Sequence, residues 1–397
     1  MNNNFTQLMM EIESLTVFSN IRDDKAITQL RGIYDAVRTG NTAAAVRHYS
    51  NFTAQLYPYT ASFTDYIRTL VLRDDNFYVK NTAAGMHIAD EIKQALENEL
   101  IVLQKLASLT SSQVREFIGY EGFLPAWTVQ HTDLQSDFME KLSNIDKVGY
   151  GIYAKYTFFR LDDGEIVPVA HPDFQGLDEL FGYERERSII IKNTTSFADG
   201  TGASNMLLYG DAGTGKSSTV KAVCASLAPK GLRVIEVKKN QLYQIPDIME
   251  ELASNPLKFV LFIDDLSFTG NDDNFSALKA ILEGSVSGCG DNVVIYATSN
   301  RRHLIKESFA DRVGDELHIN DTMQETMSLS ARFGLTVTFQ KPDKDEYLMI
   351  VKSLAAEYGV EMDEAELFRR AEAHAIRKNG RSPRTAKQFI ELLKIGV

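Results

Sequence analysis

Up to about residue 145 the apolar positions recur at helical spacing. From His87 to Leu109, residues Ile88, Ile92, Leu96, Leu103 and Leu106 stand near a three-to-four interval with Glu and Lys between them, the pattern of a helix with one face in a core. Polar interruptions at Gly40-Asn41, Pro58 and Gly119 to Pro125 cut the region into helix-sized pieces. A mainly helical N-terminal domain over 1–148 follows. Tyr150 to Arg160 is aromatic and β-branched, and Asp162-Asp163-Gly164 supplies a turn before Glu165 to Ala170. This predicts a small β element and linker over 149–172, bridging the two halves and ended by His171-Pro172. Beyond it the period changes. Met206 to Tyr209, Arg233 to Val237, Phe259 to Ile263, Val293 to Ala297 and Leu335 to Phe339 are short apolar runs separated by helical stretches. Such runs are strands covered on both faces, and their alternation with helices implies a parallel α/β sheet. A nucleotide-binding core over 173–341 and a helical lid over 342–397 complete the division. Asn193 to Asn205, rich in Thr, Ser, Gly and Asn, reads as a flexible loop before the first core strand.

Composition narrows the class. At 397 residues the chain has room for two or three domains. Cys224 and Cys289 are its only cysteines, which excludes a disulfide framework or a Cys-rich zinc site. Met1 to Gln7 lacks a secretion pattern and no apolar run reaches membrane-spanning length, so a cytoplasmic protein without membrane contact is expected. A net charge of −12 argues against unspecific coating of nucleic acid. Arg369, Arg370, Arg377, Lys378, Arg381, Arg384, Lys387 and Lys394 nonetheless crowd the C-terminal region, where a solvated helical surface is the simplest reading. His48, His87 and His131 stand alone, and Trp127 reads as a core anchor.

The chemistry is concentrated in one stretch. Gly210, Asp211, Ala212, Gly213, Thr214, Gly215, Lys216 and Ser217 fit G-x-x-x-x-G-K-[ST], with Ser218 following. Glycines let the backbone curl so that successive amides face anionic oxygens, and the next helix presents its N-terminus to the same charge. Lys216 is expected on the β- and γ-phosphates and Ser217 in the Mg²⁺ shell. Asp264 and Asp265 emerge from the end of the apolar run Phe259 to Ile263, where open α/β sheets bind ligands. Asp264 is assigned to Mg²⁺ and Asp265 to polarising the attacking water. Asn300, after the strand ending at Ala297, is placed to orient that water.

These residues resemble the AAA+ ATPases. Gly176 to Glu184, including Leu180, Phe181 and Gly182, resembles the linker that flanks adenine in that family. Lys216 and Ser217 match Walker A, Asp264 and Asp265 match Walker B, and Asn300 matches sensor 1. Ser330-Ala331-Arg332-Phe333-Gly334-Leu335 resembles the box with the arginine finger, and Ser382-Pro383-Arg384-Thr385-Ala386 resembles sensor 2, implicating Arg332 and Arg384. Arg301, Arg302 and Arg312 are nearby alternatives for the finger. The Asp-Asp ending of Walker B is similar to replication initiators and helicase loaders. Within AAA+ the chain resembles a bacterial group classed as a domain of unknown function, which carries Asp where this chain has Ala331. The resemblance implies an α/β, P-loop AAA+ αβα core with a helical lid, ATP or ADP with Mg²⁺ as cofactors, and a head-to-tail homo-oligomer if Arg332 acts in trans. A guanine-reading Asn-Lys-x-Asp run is missing after the core strands, so adenine is the expected base.

Three outputs are compatible with these residues. The first is an ATPase that remodels or assembles a protein partner docked on the N-terminal helices. The second is a nucleic-acid-associated ATPase like the initiators and loaders, disfavoured by the net charge. The third is a non-hydrolysing switch in which ATP holds an assembly together; retention of Asp264, Asp265 and Asn300 favours hydrolysis over it.

Overall fold

The computed structural model describes residues 3–267, 273–282, 291–300, 331–378 and 380–396. They form two compact units, Met1–Lys155 and Tyr156–Val397. Among the described residues no helix is long and apolar enough to cross a membrane.

The first unit is helical. Its elements are α1 (Asn3–Glu13), α2 (Ser19–Arg22), α3 (Lys25–Arg38), α4 (Thr42–Leu56), α5 (Phe63–Arg73), α6 (Phe77–Ala83), α7 (Asp90–Ala107), α8 (Ser111–Ile118), α9 (Leu134–Ser143), α10 (Ile145–Val148) and α11 (Gly151–Lys155). The polar breaks in the sequence are capping sites. Asn41 accepts from the Ala44 amide to start α4, Ser62 caps α5, and Thr110 forms a reciprocal capping box with Gln113 at α8. The apolar stripe of α7 is buried through Leu96, Leu100, Leu103 and Leu106. Trp127 is buried with its indole N–H donating to the Leu109 carbonyl at 2.8 Å. Its ring meets Phe52 at 4.9 Å and Tyr49 at 5.4 Å between centroids. Glu99 is the polar exception on that stripe. Its buried carboxylate accepts from the backbone amides of Thr16, Val17 and Phe18 at 2.8, 3.0 and 2.9 Å, and so satisfies the turn that joins α1 to α2.

The second unit is built on one sheet of β1 (Phe158–Asp162), β2 (Glu165–Pro168), β3 (Met206–Gly210), β4 (Leu232–Glu236), β5 (Lys258–Ile263), β6 (Val293–Ser299) and β7 (Leu335–Phe339). The seven strands lie in the order β2-β1-β4-β5-β6-β3-β7, all neighbours parallel except the β1–β2 pair. Central strands are buried almost throughout, as the unbroken apolar runs require. Helices α12 (Glu184–Ala198), α13 (Lys216–Ser226), α14 (Ile245–Leu252) and α15 (Asp273–Leu282) connect them. Three helices follow β7: α16 (Lys344–Glu357), α17 (Glu364–Arg377) and α18 (Pro383–Lys394). They share a core of their own centred on Tyr347, Val351, Ala371 and Ile390.

Three local expectations change. The segment Tyr150 to Arg160 is a strand only from Phe158; Gly151–Lys155 is the last helix of the first unit. The hairpin after it is no separate bridge, because β1 runs parallel to β4 and extends the main sheet. Residues 193–198 belong to α12 and not to a loop: Ile190, Thr194 and Phe197 form its buried face. The Asn193 amide also donates to the Ser204 carbonyl at 2.9 Å, closing the remaining loop.

Glu99→Ala leaves three amides without their acceptor, and we expect the first unit to lose about 3 kcal/mol. The sole tryptophan, Trp127, lies in that unit's core. Urea titration of the full chain followed by its fluorescence should therefore show a lower midpoint, and an unchanged midpoint refutes the role of Glu99.

Candidate functional site

The glycine loop leaves the C-terminal end of β3 and enters α13. Gly210 sits at φ +140° with its Cα against the Phe339 backbone, where a side chain would collide. Gly215 at φ +89° turns the chain into α13. Lys216 is buried beneath the loop and its ammonium uses all three donors: to the carbonyls of Gly210 at 2.9 Å and Asp211 at 2.8 Å, and to Asn300 Oδ1 at 3.0 Å. Burial pushes its pKa below the ordinary lysine value, with Asp211, Asp265 and Asp264 opposing that shift.

In the sheet, β6 lies between β5 and β3, so the ends of these strands bring the expected site residues together. Ser217 Oγ donates to Asp264 Oδ1 at 2.5 Å. Asn300 Nδ2 donates to Asp265 Oδ1 at 2.8 Å while its oxygen holds Lys216. Asp264, Asp265 and Asn300 are exposed at this end of the sheet. Ser217 and Asp264 offer hard oxygens of the kind that hold Mg²⁺ together with nucleotide phosphates, so the donor set fits that ion.

A pocket opens beside the loop. Gly213, Thr214, Gly215 and Ser218 form one wall, Leu180, Phe181, Tyr183 and Arg187 a second, and Ile350, Leu354, Arg384 and Lys387 of the lid a third. Arg384 is in the first turn of α18, which Ser382 caps and Pro383 begins; its backbone amide donates to the Gly213 carbonyl at 3.2 Å. Gly182 lies behind the wall, against Ile350. Gly210, Asp211 and Ala212 are not among the lining residues. The Asp211 carboxylate instead accepts from the Lys341 amide at 3.1 Å, which ties the loop to the segment between β7 and the lid.

Four further residues at or behind this site were given no role in it by the sequence, although Tyr183 lies within the linker segment Gly176 to Glu184. Tyr183 adopts φ +60° and donates its hydroxyl to the Gln340 carbonyl at 2.6 Å, beside the Asp211–Lys341 tie. Burial raises its pKa. Arg187 lies one turn further on, its side chain 12% exposed and its charge-bearing form disfavoured by burial, with Glu184 at 3.4 Å. Lys387 is three residues after Arg384, and that spacing on a helix was the one available signal for it. Thr298, at the end of β6, donates to the Asp264 carboxylate and accepts from the Asp265 backbone amide, just beyond β5.

Arg332 is not brought to this pocket. It precedes β7, which pairs in parallel with β3 from Met206↔Leu335 to Gly210↔Phe339. It therefore lies off the opposite end of the sheet from the loop. Arg301, Arg302 and Arg312 lie outside the described residues, as does Ser330.

The family described as "Protein of unknown function (DUF815)" matches residues 153–396. None of the curated proteins matches the chain. Among solved structures, two RuvB mutants from Thermotoga maritima align at 19 and 20% identity with TM-scores of 0.38, over 55% of this chain and 64% of theirs. The chain thus spans just under two thirds of their length. DnaA from Aquifex aeolicus with AMPPCP aligns at 18% identity over 57% of this chain and 66% of its own, with a TM-score of 0.40. A FIGL-1 AAA domain with ADP aligns at 16% identity over 57% and 75%, also at 0.40. The family match takes in the whole sheet, the glycine loop that follows β3 and the three-helix lid: the chain belongs to the DUF815 family.

Proposed function

We propose that the chain binds Mg²⁺·ATP, hydrolyses it by in-line attack of water, and couples turnover to the remodelling or assembly of a protein partner. The observation that carries the reading is the pair of hydrogen bonds at Asn300, which accepts from Lys216 of the glycine loop and donates to Asp265. A ground-state binder needs only the loop. A hydrolase also needs a carboxylate and an amide held at a fixed distance from the γ-phosphate, and this bridge supplies both.

The loop amides and Lys216 bind phosphate, while Ser217 and Asp264 hold the ion, whose charge offsets that of the β- and γ-oxygens. Asp265 accepts the proton of the attacking water and Asn300 orients it. Arg384, on the lid wall, senses the γ-phosphate. Arg332, off the far end of the sheet from its own loop, serves the site of a neighbouring copy, which calls for a head-to-tail homo-oligomer. The helices of the first unit receive the partner. A nucleic-acid output is less favoured: among the lid cations, Arg369 and Arg381 are each paired, with Glu366 and Glu372, and the net charge is −12.

Lys216→Ala is expected to abolish ATP and ADP binding in calorimetry. Retained binding, or absence of heat with the parent protein in Mg²⁺, refutes the reading at its base. Asn300→Ala should bind nucleotide but turn over about 10²–10³-fold more slowly, as for loss of one preorganised donor.

Arg332→Ala should also spare binding while lowering turnover by roughly 10³-fold or more. Mixing Arg332→Ala with Lys216→Ala should restore part of the activity, because each supplies what the other lacks across a shared interface. A mixture no more active than its components argues against action in trans.

A further inference from the structure

The two carboxylates at the end of β5 do not hold themselves in place. Asp265 is a non-glycine residue at φ +52°, a left-handed conformation that costs energy and persists only when neighbours fix it. Those neighbours are on β6. The Thr298 hydroxyl donates to Asp264 Oδ1 at 2.5 Å and accepts from the Asp265 backbone amide at 2.9 Å. The Thr298 carbonyl accepts from the Leu266 amide at 2.7 Å, and Ser299 Oγ donates to the Leu266 carbonyl at 2.8 Å. Thr298 is 2% exposed, so its hydroxyl has no bulk water to turn to.

We propose that Thr298 is a positioning residue for the metal and water side of the site: one hydroxyl sets the orientation of the Asp264 carboxylate and the backbone twist that aims Asp265 at Asn300. The inference rests on the ATPase reading above. Its chemistry is simple. A hydroxyl has one proton to give, and here it goes to Asp264; its lone pair takes the Asp265 amide, so both functions are used on consecutive residues. Asp264 Oδ1 then collects three donors, from Ser217, Thr298 and the Asp265 amide, and Oδ2 is the oxygen that would remain for a cation. Thr298 is itself buried and acts through the two aspartates.

The test compares full-length parent, Thr298→Val, Thr298→Ser and Ser299→Ala. Valine keeps the shape and loses the hydroxyl, serine keeps the hydroxyl, and the Ser299 variant loosens the same turn without touching a carboxylate. ADP binding is measured by calorimetry in EDTA and across a Mg²⁺ series, alongside kcat and KM for ATP. In EDTA all four should bind alike. Thr298→Val should need about 10–100-fold more Mg²⁺ for half of the metal-dependent tightening, the usual effect of losing a partner behind a metal ligand. Its kcat should fall with little change in KM, while Thr298→Ser and Ser299→Ala stay close to the parent in both readouts. The role of Thr298 is overturned if the valine variant follows the parent's Mg²⁺ curve, or if Ser299→Ala or Thr298→Ser shifts it equally. Should Thr298→Val fail to fold, the serine and Ser299 variants decide: the serine variant moving to the higher Mg²⁺ requirement overturns the hydroxyl as cause. A parent that binds no nucleotide in either condition overturns the ATPase reading itself, and this inference with it.

Discussion

A buried ammonium is the constraint around which the second unit is arranged. Lys216 cannot be left under the loop without oxygens on every N–H, since an uncompensated charge there is worth several kcal/mol of instability. Two of its partners are carbonyls of its own loop, so the loop must curl, and Gly210 must pass against Phe339 to let it. The third is Asn300. That bond is available only because β6 is inserted between β5 and β3. The same insertion puts Asp265 on the other side of Asn300. Sheet order, loop curl and the meeting of three strand ends are thus one arrangement seen at three scales. Burial lowers the pKa of Lys216, and phosphate oxygens are ligands well able to replace the lost solvation of an ammonium.

The loop is also fastened from the side. Asp211 holds the Lys341 amide, and Tyr183 holds the adjacent Gln340 carbonyl from a strained backbone conformation. Both ties land on the short segment between β7 and α16. Phe181, two residues before Tyr183, packs on the lid core, and Arg384 bonds to Gly213 through its backbone. Loop, linker and lid are therefore coupled by direct contacts: a ligand that moves Gly213 must move Arg384 or break that bond.

The strands of the core were legible because burial on both faces leaves an unbroken apolar run, and five such runs match β3 to β7 within one or two residues. The glycine loop and the two carboxylates that the structure brings together were legible because a motif fixes their spacing within a few residues. What the sequence hid is non-local. The β1–β2 hairpin was readable, but its partner β4 lies far along the chain, so its place in the main sheet was not. Residues 193–198 look like a loop because Asn, Thr and Ser dominate them, yet Thr194 is buried and bonds Tyr296. Composition there misleads, since a hydroxyl that finds a buried partner behaves as a core residue. The role of Thr298, and that of the Tyr183 hydroxyl within the linker segment, could not be read for the same reason: each acts through one hydroxyl toward a partner 34 or 157 residues away.

The position of Arg332 follows from strand direction alone. In a parallel sheet all C-terminal ends share one edge, so a residue that precedes β7 and a loop that follows β3 are separated by the length of the strands between them. Five paired positions, Met206↔Leu335 through Gly210↔Phe339, amount to roughly 16 Å at the usual rise per residue. A side chain of arginine's length does not span that and also reach past the loop to a γ-phosphate. The adjoining Phe333 is buried, which anchors the turn that carries the guanidinium. An arginine that takes part in hydrolysis from there acts on a phosphate held by another copy. The alternative is a purely structural role at the base of the sheet. These two roles differ in whether activity depends on assembly, and the geometry of β3 and β7 leaves no third position for this side chain at its own site.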